Sequence, residues 1–320
     1  MKVSVIIPCY NASSYILRCL NSLENQIFKD FDVFIIDDAS TDNSIEVIES
    51  YKKQSWLKVN ILTHKDNKGP SFSRLQGIKA SNSQYICFCD ADDWYDDNFL
   101  YMMVNEQTRN NADVVFTSFR LSFDSGRSVE RLNIYTNDIL KNKNKILIKA
   151  SDSLCLMMIN RQILLDIPHP QIRNGEDMAL IPLIIEKAEK VASVNKCMYN
   201  YYCREKSASM VPSMNMIDSL IKSFDFINSH LATKFKFEKE YIGVRNLLYG
   251  ALINLFKISY NTKKANHILD NFEVDYPQWY NNSNISEMPF PKRVFLFFVR
   301  HRLWFMIKFL SHVQILVLKL

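Results

Sequence analysis

Short apolar runs alternate with amphipathic stretches from the start of the chain to about residue 210. Residues 3–7, 31–36, 59–62 and 85–89 are apolar runs of the length and type that form buried strands. Residues 113–119 read as a further strand. Between them apolar residues fall at helical spacing. Ile16, Leu17, Leu20 and Leu23 make one stripe, and Ile45, Val47 and Ile48 another. Residues 71–80 and 97–109 complete the helical set. Pro8 stops the first strand, because proline cannot donate to a sheet ladder. Ser13 or Ser14, and Thr41 or Asp42, stand where helix caps are expected. Strands alternating with helices across short loops predict an α/β fold with a mostly parallel sheet flanked by helices. From Met214 to about Tyr260 the pattern turns wholly helical, with stripes such as Ile217, Leu220, Phe224 and Leu248, Leu252, Leu255. Residues 275–291, rich in Pro, Asn and Ser, read as a linker. The Lys- and Asn-rich residues 137–145 read as a solvated loop.

The polar residues at the strand ends carry the chemistry. The run 85–89 is followed at once by Asp90, Asp92 and Asp93. In an open α/β sheet, ligands bind beyond the carboxyl ends of the strands. Carboxylates this close repel one another, and a divalent cation relieves them. Hard oxygen ligands suit Mg²⁺ or Mn²⁺, commonly shared with a substrate diphosphate. The second strand ends in Asp37 and Asp38, and the third in the polar loop of residues 64–69. Arg74 lies in the helix that follows. Three strands ending in polar loops on one rim is a nucleotide-site layout. No GxGxxG or Walker sequence accompanies it, so the phosphates need another holder, and the metal is the candidate.

Five segments together resemble the family-2 glycosyltransferases of the GT-A fold: SVIIPCYN, DFDVFIIDDASTDNS, NKGPSFSRLQGI, QYICFCDADD and Asn174-Gly175-Glu176-Asp177. Residues 201–209, YYCREKSAS, resemble that family's Tyr/Arg/Ser segment. The resemblance covers residues 1–210. It implies a catalytic domain there, and the residue pattern adds a helical region over 211–290, packed on or beside it, and a basic amphipathic tail over 291–320. It implies that Pro8, Tyr10 and Asp38 bind the nucleotide base, with Asp37 supporting the loop. Asn67, Gly69 and Arg74 would lie near the nucleotide, and Asp90 would face the ribose or the metal. Asp92 would ligate Mn²⁺ or Mg²⁺, Asp177 would be the catalytic base, and Arg204 and Ser207 would close over the diphosphate. The implied reaction is inverting transfer from a nucleotide sugar, with a UDP-sugar as the donor, to a glycan acceptor in surface-polysaccharide synthesis. The chain departs from the family at Ser73-Arg74-Leu75-Gln76, where relatives often carry Ala-Arg-Asn.

Charge refines the expected partners. The net charge is +5, and Lys292, Arg293, Arg300, Arg302, Lys308 and Lys319 follow Pro291 with no acid among them. The rest of the chain is therefore near neutral, which argues against nucleic acid as a partner. Residues 291–320 alternate aromatics with cations too often for a membrane span of about 18 uncharged residues. They read as a basic amphipathic segment lying on a membrane, which favours a lipid-linked acceptor, with packing on the catalytic domain or a homodimer contact as the other reading. Seven scattered cysteines without CxxC spacing fit a reducing compartment, and the N-terminal apolar run is too short for a signal peptide. The expected location is the cytoplasmic face of the plasma membrane. A sugar nucleotidyltransferase would need a Gly-rich phosphate loop after the first strand, which is not there. A non-catalytic nucleotide-sugar-binding scaffold would be expected to lack Asp92 or Asp177, and both are present.

Overall fold

The computed structural model describes residues 1–133, 135–150, 153–173, 175–204 and 212–318, with side chains as far as residue 313. The chain divides into two compact units, Met1–Glu205 and Lys206–Leu320.

The first unit is built on one mixed sheet. Its strands are β1 (Val3–Cys9), β2 (Phe31–Asp37), β3 (Val59–Thr63), β4 (Tyr85–Phe88), β5 (Trp94–Tyr95), β6 (Val114–Ser122), β7 (Ser128–Arg131), β8 (Met157–Asn160) and β9 (Val191–Tyr202). The spatial order is β3-β2-β1-β4-β8-β6-β9-β5, with β7 paired to β6. The four strands β3, β2, β1 and β4 run parallel, as the alternating pattern predicts. Beyond β4 the direction changes: β8 is antiparallel to both β4 and β6, and β9 lies parallel to β6. Every residue of β2 and β4 is buried, which is why they read as unbroken apolar runs.

The helices of this unit are α1 (Ile16–Glu24), α2 (Ser44–Lys52), α3 (Pro70–Ala80), α4 (Phe99–Asn110), α5 (Asn137–Leu140), α6 (Lys143–Lys149), α7 (Arg161–Asp166) and α8 (Glu176–Lys187). Helix α1 buries Ile16, Cys19, Leu20 and Leu23, whereas Leu17, expected in the stripe, is exposed. Ser13 and Ser14 do not cap it; Tyr15 takes the cap position without a side-chain bond. Residues 137–145 are not a plain loop. Asn142 accepts from the amides of Asn144 and Lys145 and opens α6, a cap chemistry that a Lys/Asn-rich composition hides. Helix α3 lies tight against the sheet. A Cβ on Gly77 would come within 2.5 Å of Ile6 Cγ2 and 3.0 Å of Ile36 Cδ1. That close approach fixes Arg74, one turn earlier, over the strand ends.

The second unit is helical. It contains α9 (Met214–His230), α10 (Lys236–Gly243), a π-helix (Val244–Ala251), α11 (Leu252–Ile258), α12 (Thr262–Asp275), α13 (Phe290–Arg300) and α14 (Trp304–Leu318). The stretch expected as a linker, 275–291, is packed structure. Tyr276, Trp279 and Met288 are buried, and Asn282 Nδ2 donates to Phe237 O at 3.0 Å and Glu240 Oε1 at 2.8 Å. A few aromatic anchors outweigh the polar composition there. Among the described residues, no helix is long and apolar enough to cross a membrane.

Candidate active site

The parallel half of the sheet delivers its loops to one rim. Pro8 lies within β1, opposite Ile36 of β2, and Tyr10 follows the strand with half its surface exposed. The loops after β1 and β2 are stitched together: Asn11 N donates to Ser40 Oγ at 3.0 Å, and Asn11 Oδ1 accepts from Thr41 N at 2.8 Å. Asn11 (φ 49°) and Ala39 (φ 61°) both take left-handed backbone, a strain that clusters at functional rims. Asp38 is buried, and its carboxylate is committed inside the protein. Oδ1 faces His64 Nδ1 and accepts from Lys68 N, both at 2.8 Å, and Oδ2 accepts from Gly69 N at 2.6 Å. The expectation gave loop support to Asp37 and the base contact to Asp38. Both acids support loops: Asp37 Oδ2 accepts from Ser40 N at 3.2 Å, as expected of it, and Asp38 holds the amides of Lys68 and Gly69, while Asp37 Oδ1 is buried without a hydrogen-bond partner. Gly69 itself sits at φ 89°, with Arg173 Cγ only 2.5 Å from where a Cβ would be. Asn67 Oδ1 accepts from Arg173, so the loop after β3 leans on the segment before α8.

Arg74 is the electrostatic hub. Its guanidinium bonds Asp90 Oδ1 at 2.6 Å, meets Glu176 Oε1, and lies 3.5 Å from Asp177 Oδ1. Burial alone would lower its pKa; Asp90, Asp177 and Glu176 together hold it well above the usual arginine value. Arg74, expected near the nucleotide, faces the carboxylates Asp90, Glu176 and Asp177. Gly175, at φ 86°, starts α8 and puts Glu176 and Asp177 in its first turn, where the helix dipole favours negative charge. Asp177 Oδ2 accepts from Leu154 N at 3.2 Å, while Oδ1 has no hydrogen-bond partner. Burial, then the negative charges of Glu176 and Asp90, outweigh Arg74 and push the Asp177 pKa from 3.8 up to about 7.

The DADD turn is anchored from the far side of the sheet. Asp93 is buried; Oδ2 accepts from Tyr199 Oη at 2.5 Å and Oδ1 from Tyr202 N at 2.7 Å. Asp92 instead pairs with Arg204, and its carbonyl accepts from Arg18 at 2.7 Å. Arg18 is held between the rings of Trp94 and Tyr202, at 4.0 and 4.1 Å, and Arg204 lies 5.0 Å over Tyr15. Burial and the charge of Asp90 raise the Asp92 pKa despite Arg204 and Arg18. A divalent cation fits this donor chemistry, because it would relieve the crowding of Asp90 and Asp92 and take hard oxygens. Asp93 is committed to β9. No cluster of three ligating side chains occurs among the described residues. Arg18 Nε, Arg74 Nε and Arg204 Nε are buried without hydrogen-bond partners, an unusual concentration for one region. Ser207 and Asn174 lie outside the described residues. Arg18, Trp94, Arg173 and the hub role of Glu176 escape sequence reasoning, and Tyr202 enters it only as part of the segment 201–209. Only the acid beside Asp177 gave a local signal.

The sequence model of Glycosyl transferase family 2 matches residues 4–167. Glycosyltransferase GlyA of Streptococcus pneumoniae is 25% identical over 271 residues, which is 79% of this chain and 38% of that protein. The poly(ribitol-phosphate) beta-glucosyltransferase of Bacillus spizizenii is 35% identical over 41% of this chain and 21% of its own length. The alignments thus span about two-fifths and one-fifth of these relatives. Among solved structures, S. aureus TarS 1–349 in complex with UDP aligns with a TM-score of 0.69 at 20% identity, covering 98% of this chain and 90% of that one.

Proposed function

The chain belongs to glycosyl transferase family 2, and from that premise we propose that it moves a sugar from UDP to a hydroxyl of a glycan acceptor. The observation that carries this reading is Asp177, a rim carboxylate with one unpartnered oxygen and a pKa of about 7. A base poised near neutrality can take the proton of an attacking hydroxyl, and its base form is present as soon as the pH reaches that value. Arg74 keeps Asp177, Glu176 and Asp90 in register while this happens. The attacking oxygen displaces the nucleoside diphosphate from the opposite face of the anomeric carbon. The configuration inverts, and no enzyme nucleophile is needed. Tyr10 offers an exposed ring to the base, and Asp37 Oδ1, without a hydrogen-bond partner, is the acceptor oxygen of the same rim. Asp90 and Asp92 would hold Mn²⁺ or Mg²⁺, which when bound stabilises charge on the leaving phosphate. Arg204, with its side chain 40% exposed, is placed to add a cation there.

The UDP bound by TarS supports uridine as the base. The relative named for poly(ribitol-phosphate) supports a cell-surface polymer as acceptor. The basic, acid-free residues 291–320 support a lipid-linked acceptor met at a membrane surface. The test is a panel of UDP-, GDP- and dTDP-sugars with Mn²⁺. One UDP-sugar should raise the melting temperature and be hydrolysed slowly, and EDTA should remove both effects. If no nucleotide sugar binds or is hydrolysed, the transfer reading fails. Hydrolysis that persists in EDTA removes the metal from it.

A further inference from the structure

Helices α13 and α14 each have two unlike faces. On α13, Phe295, Leu296 and Val299 are buried. Its opposite stripe carries Phe290, Arg293, Phe297 and Arg300, all exposed, with the two phenylalanines 68% and 55% open. These positions repeat at helical spacing, so they share one face. On α14, Trp304, Ile307 and Ser311 face inward. Trp304 stacks on Phe256 at 5.9 Å, and its indole N–H donates to Asn266 Oδ1 at 3.0 Å. The outward residues are Phe305 (61% open), Phe309 (62% open), His312 and Val313. The inner faces therefore belong to the helical unit's own core. Four large aromatic rings on the outer faces remain uncovered.

The charges say what covers them. From residue 288 onward the sequence contains no acid. Arg302 is neutralised by Asp270 at 2.6 Å and Glu273 at 3.1 Å, and Lys308 Nζ donates to Phe256 O at 2.8 Å. Lys292, Arg293 and Arg300 are different. Each lies over an aromatic ring, of Tyr249, Phe290 and Tyr280 respectively, and none is ion-paired among the described residues. A second copy of this chain would bring cations against cations. An anionic lipid surface supplies the opposite charge and an apolar layer for the rings. Among the described residues neither helix is long and apolar enough to cross a bilayer.

We infer that the outer faces of α13 and α14 dock on the interface of an anionic bilayer. The four phenylalanines enter the boundary between headgroups and acyl chains, and Arg293 and Arg300 meet lipid phosphates. This deepens the membrane part of the proposed function, and it leaves the transfer chemistry untouched.

The test is flotation of the full chain with vesicles of phosphatidylcholine alone or mixed with phosphatidylglycerol. The native protein should float with the mixed vesicles, not with phosphatidylcholine alone, and should release in high salt. F297S/F305S/F309S should weaken binding by on the order of tenfold or more, and R293Q/R300Q should weaken it similarly and abolish the anionic preference. Phe237→Ser, at another exposed ring of the same unit, should float as the native protein does. Unchanged melting and hydrolysis of donor show that each variant is folded. Loss of hydrolysis in the native protein would bear on the transfer reading alone. The inference is overturned if native protein ignores the mixed vesicles, or if the Phe variant floats undiminished. It is equally overturned if these substitutions instead dissolve a dimer that does not bind lipid.

Discussion

One guanidinium, that of Arg74, faces three carboxylates, two of them in the first turn of a helix about a hundred residues away. Removing it leaves Asp90, Glu176 and Asp177 crowded without a counter-charge. Arg74→Ala should therefore cost about 3–5 kcal/mol, the scale for stripping one partner from a buried ion cluster, measured by urea denaturation. Arg74→Lys keeps a charge but loses the planar fork that reaches several oxygens at once. It should recover part of the stability and little of the turnover. If Arg74→Ala melts like the native protein, the hub is not structural. At this scale the sequence exposes the acids, because Asp90, Asp92 and Asp177 sit at a strand end or a helix start. It conceals their partners. Arg74 bonds across 102 positions to Glu176, and Arg18 across 74 to the carbonyl of Asp92. Nothing in the local pattern of either arginine distinguishes it from a solvated one. The loop contacts of Asp38 are likewise set by where the amides of Lys68 and Gly69 fall, which only the folded loop decides.

Helix α3 positions Arg74, and Gly77 lets it do so. Gly77→Ala drives a methyl to 2.5 Å from Ile6, so the helix must move off the sheet. The expected loss is about 1–3 kcal/mol of stability, with a fall in turnover larger than stability alone explains. Gly250→Ala is the control for crowding, since its added methyl comes no nearer than 3.4 Å to Arg245 O. Equal turnover in the Gly77 variant and the native protein would mean that the register of α3 does not matter. At the scale of elements, strands buried on both faces were the most legible, because β1, β2 and β4 read as apolar runs. The short β5 and β7 were not legible, since so few residues carry no period. Residues 275–291 misled for a physical reason: Trp279 and Tyr276 hold the segment down while their polar neighbours give it the composition of a linker.

The molecule combines an α/β unit with a helical unit in which α13 and α14 each expose an aromatic face. The α/β class and the rim of the first unit could be read before any coordinates, because alternation and strand-end acids are local features. The reversal of strand direction after β4, and the two-faced packing of the last helices, depend on tertiary partners and could not. The central claim is that the rim performs transfer with Asp177 as its base. With its carboxyl lifted from 3.8 to about 7, the base form of Asp177 grows as pH rises. The rate should climb about tenfold per pH unit below that value and level off above it. The raised pKa also fixes the sign for folding. Its stabilising contribution is full below the unfolded value and lost as pH rises through about 7, so Asp177→Asn should be no less stable than native protein at about pH 8. The most direct measurement is the pH–rate profile of sugar transfer by native protein and Asp177→Asn, alongside donor affinity for both. The account predicts a limb near pH 7 in the native protein, a rate lower by about 10²–10⁴ and no such limb in the variant, and equal donor affinity. A variant that turns over at the native rate, or that keeps the same limb, would contradict it.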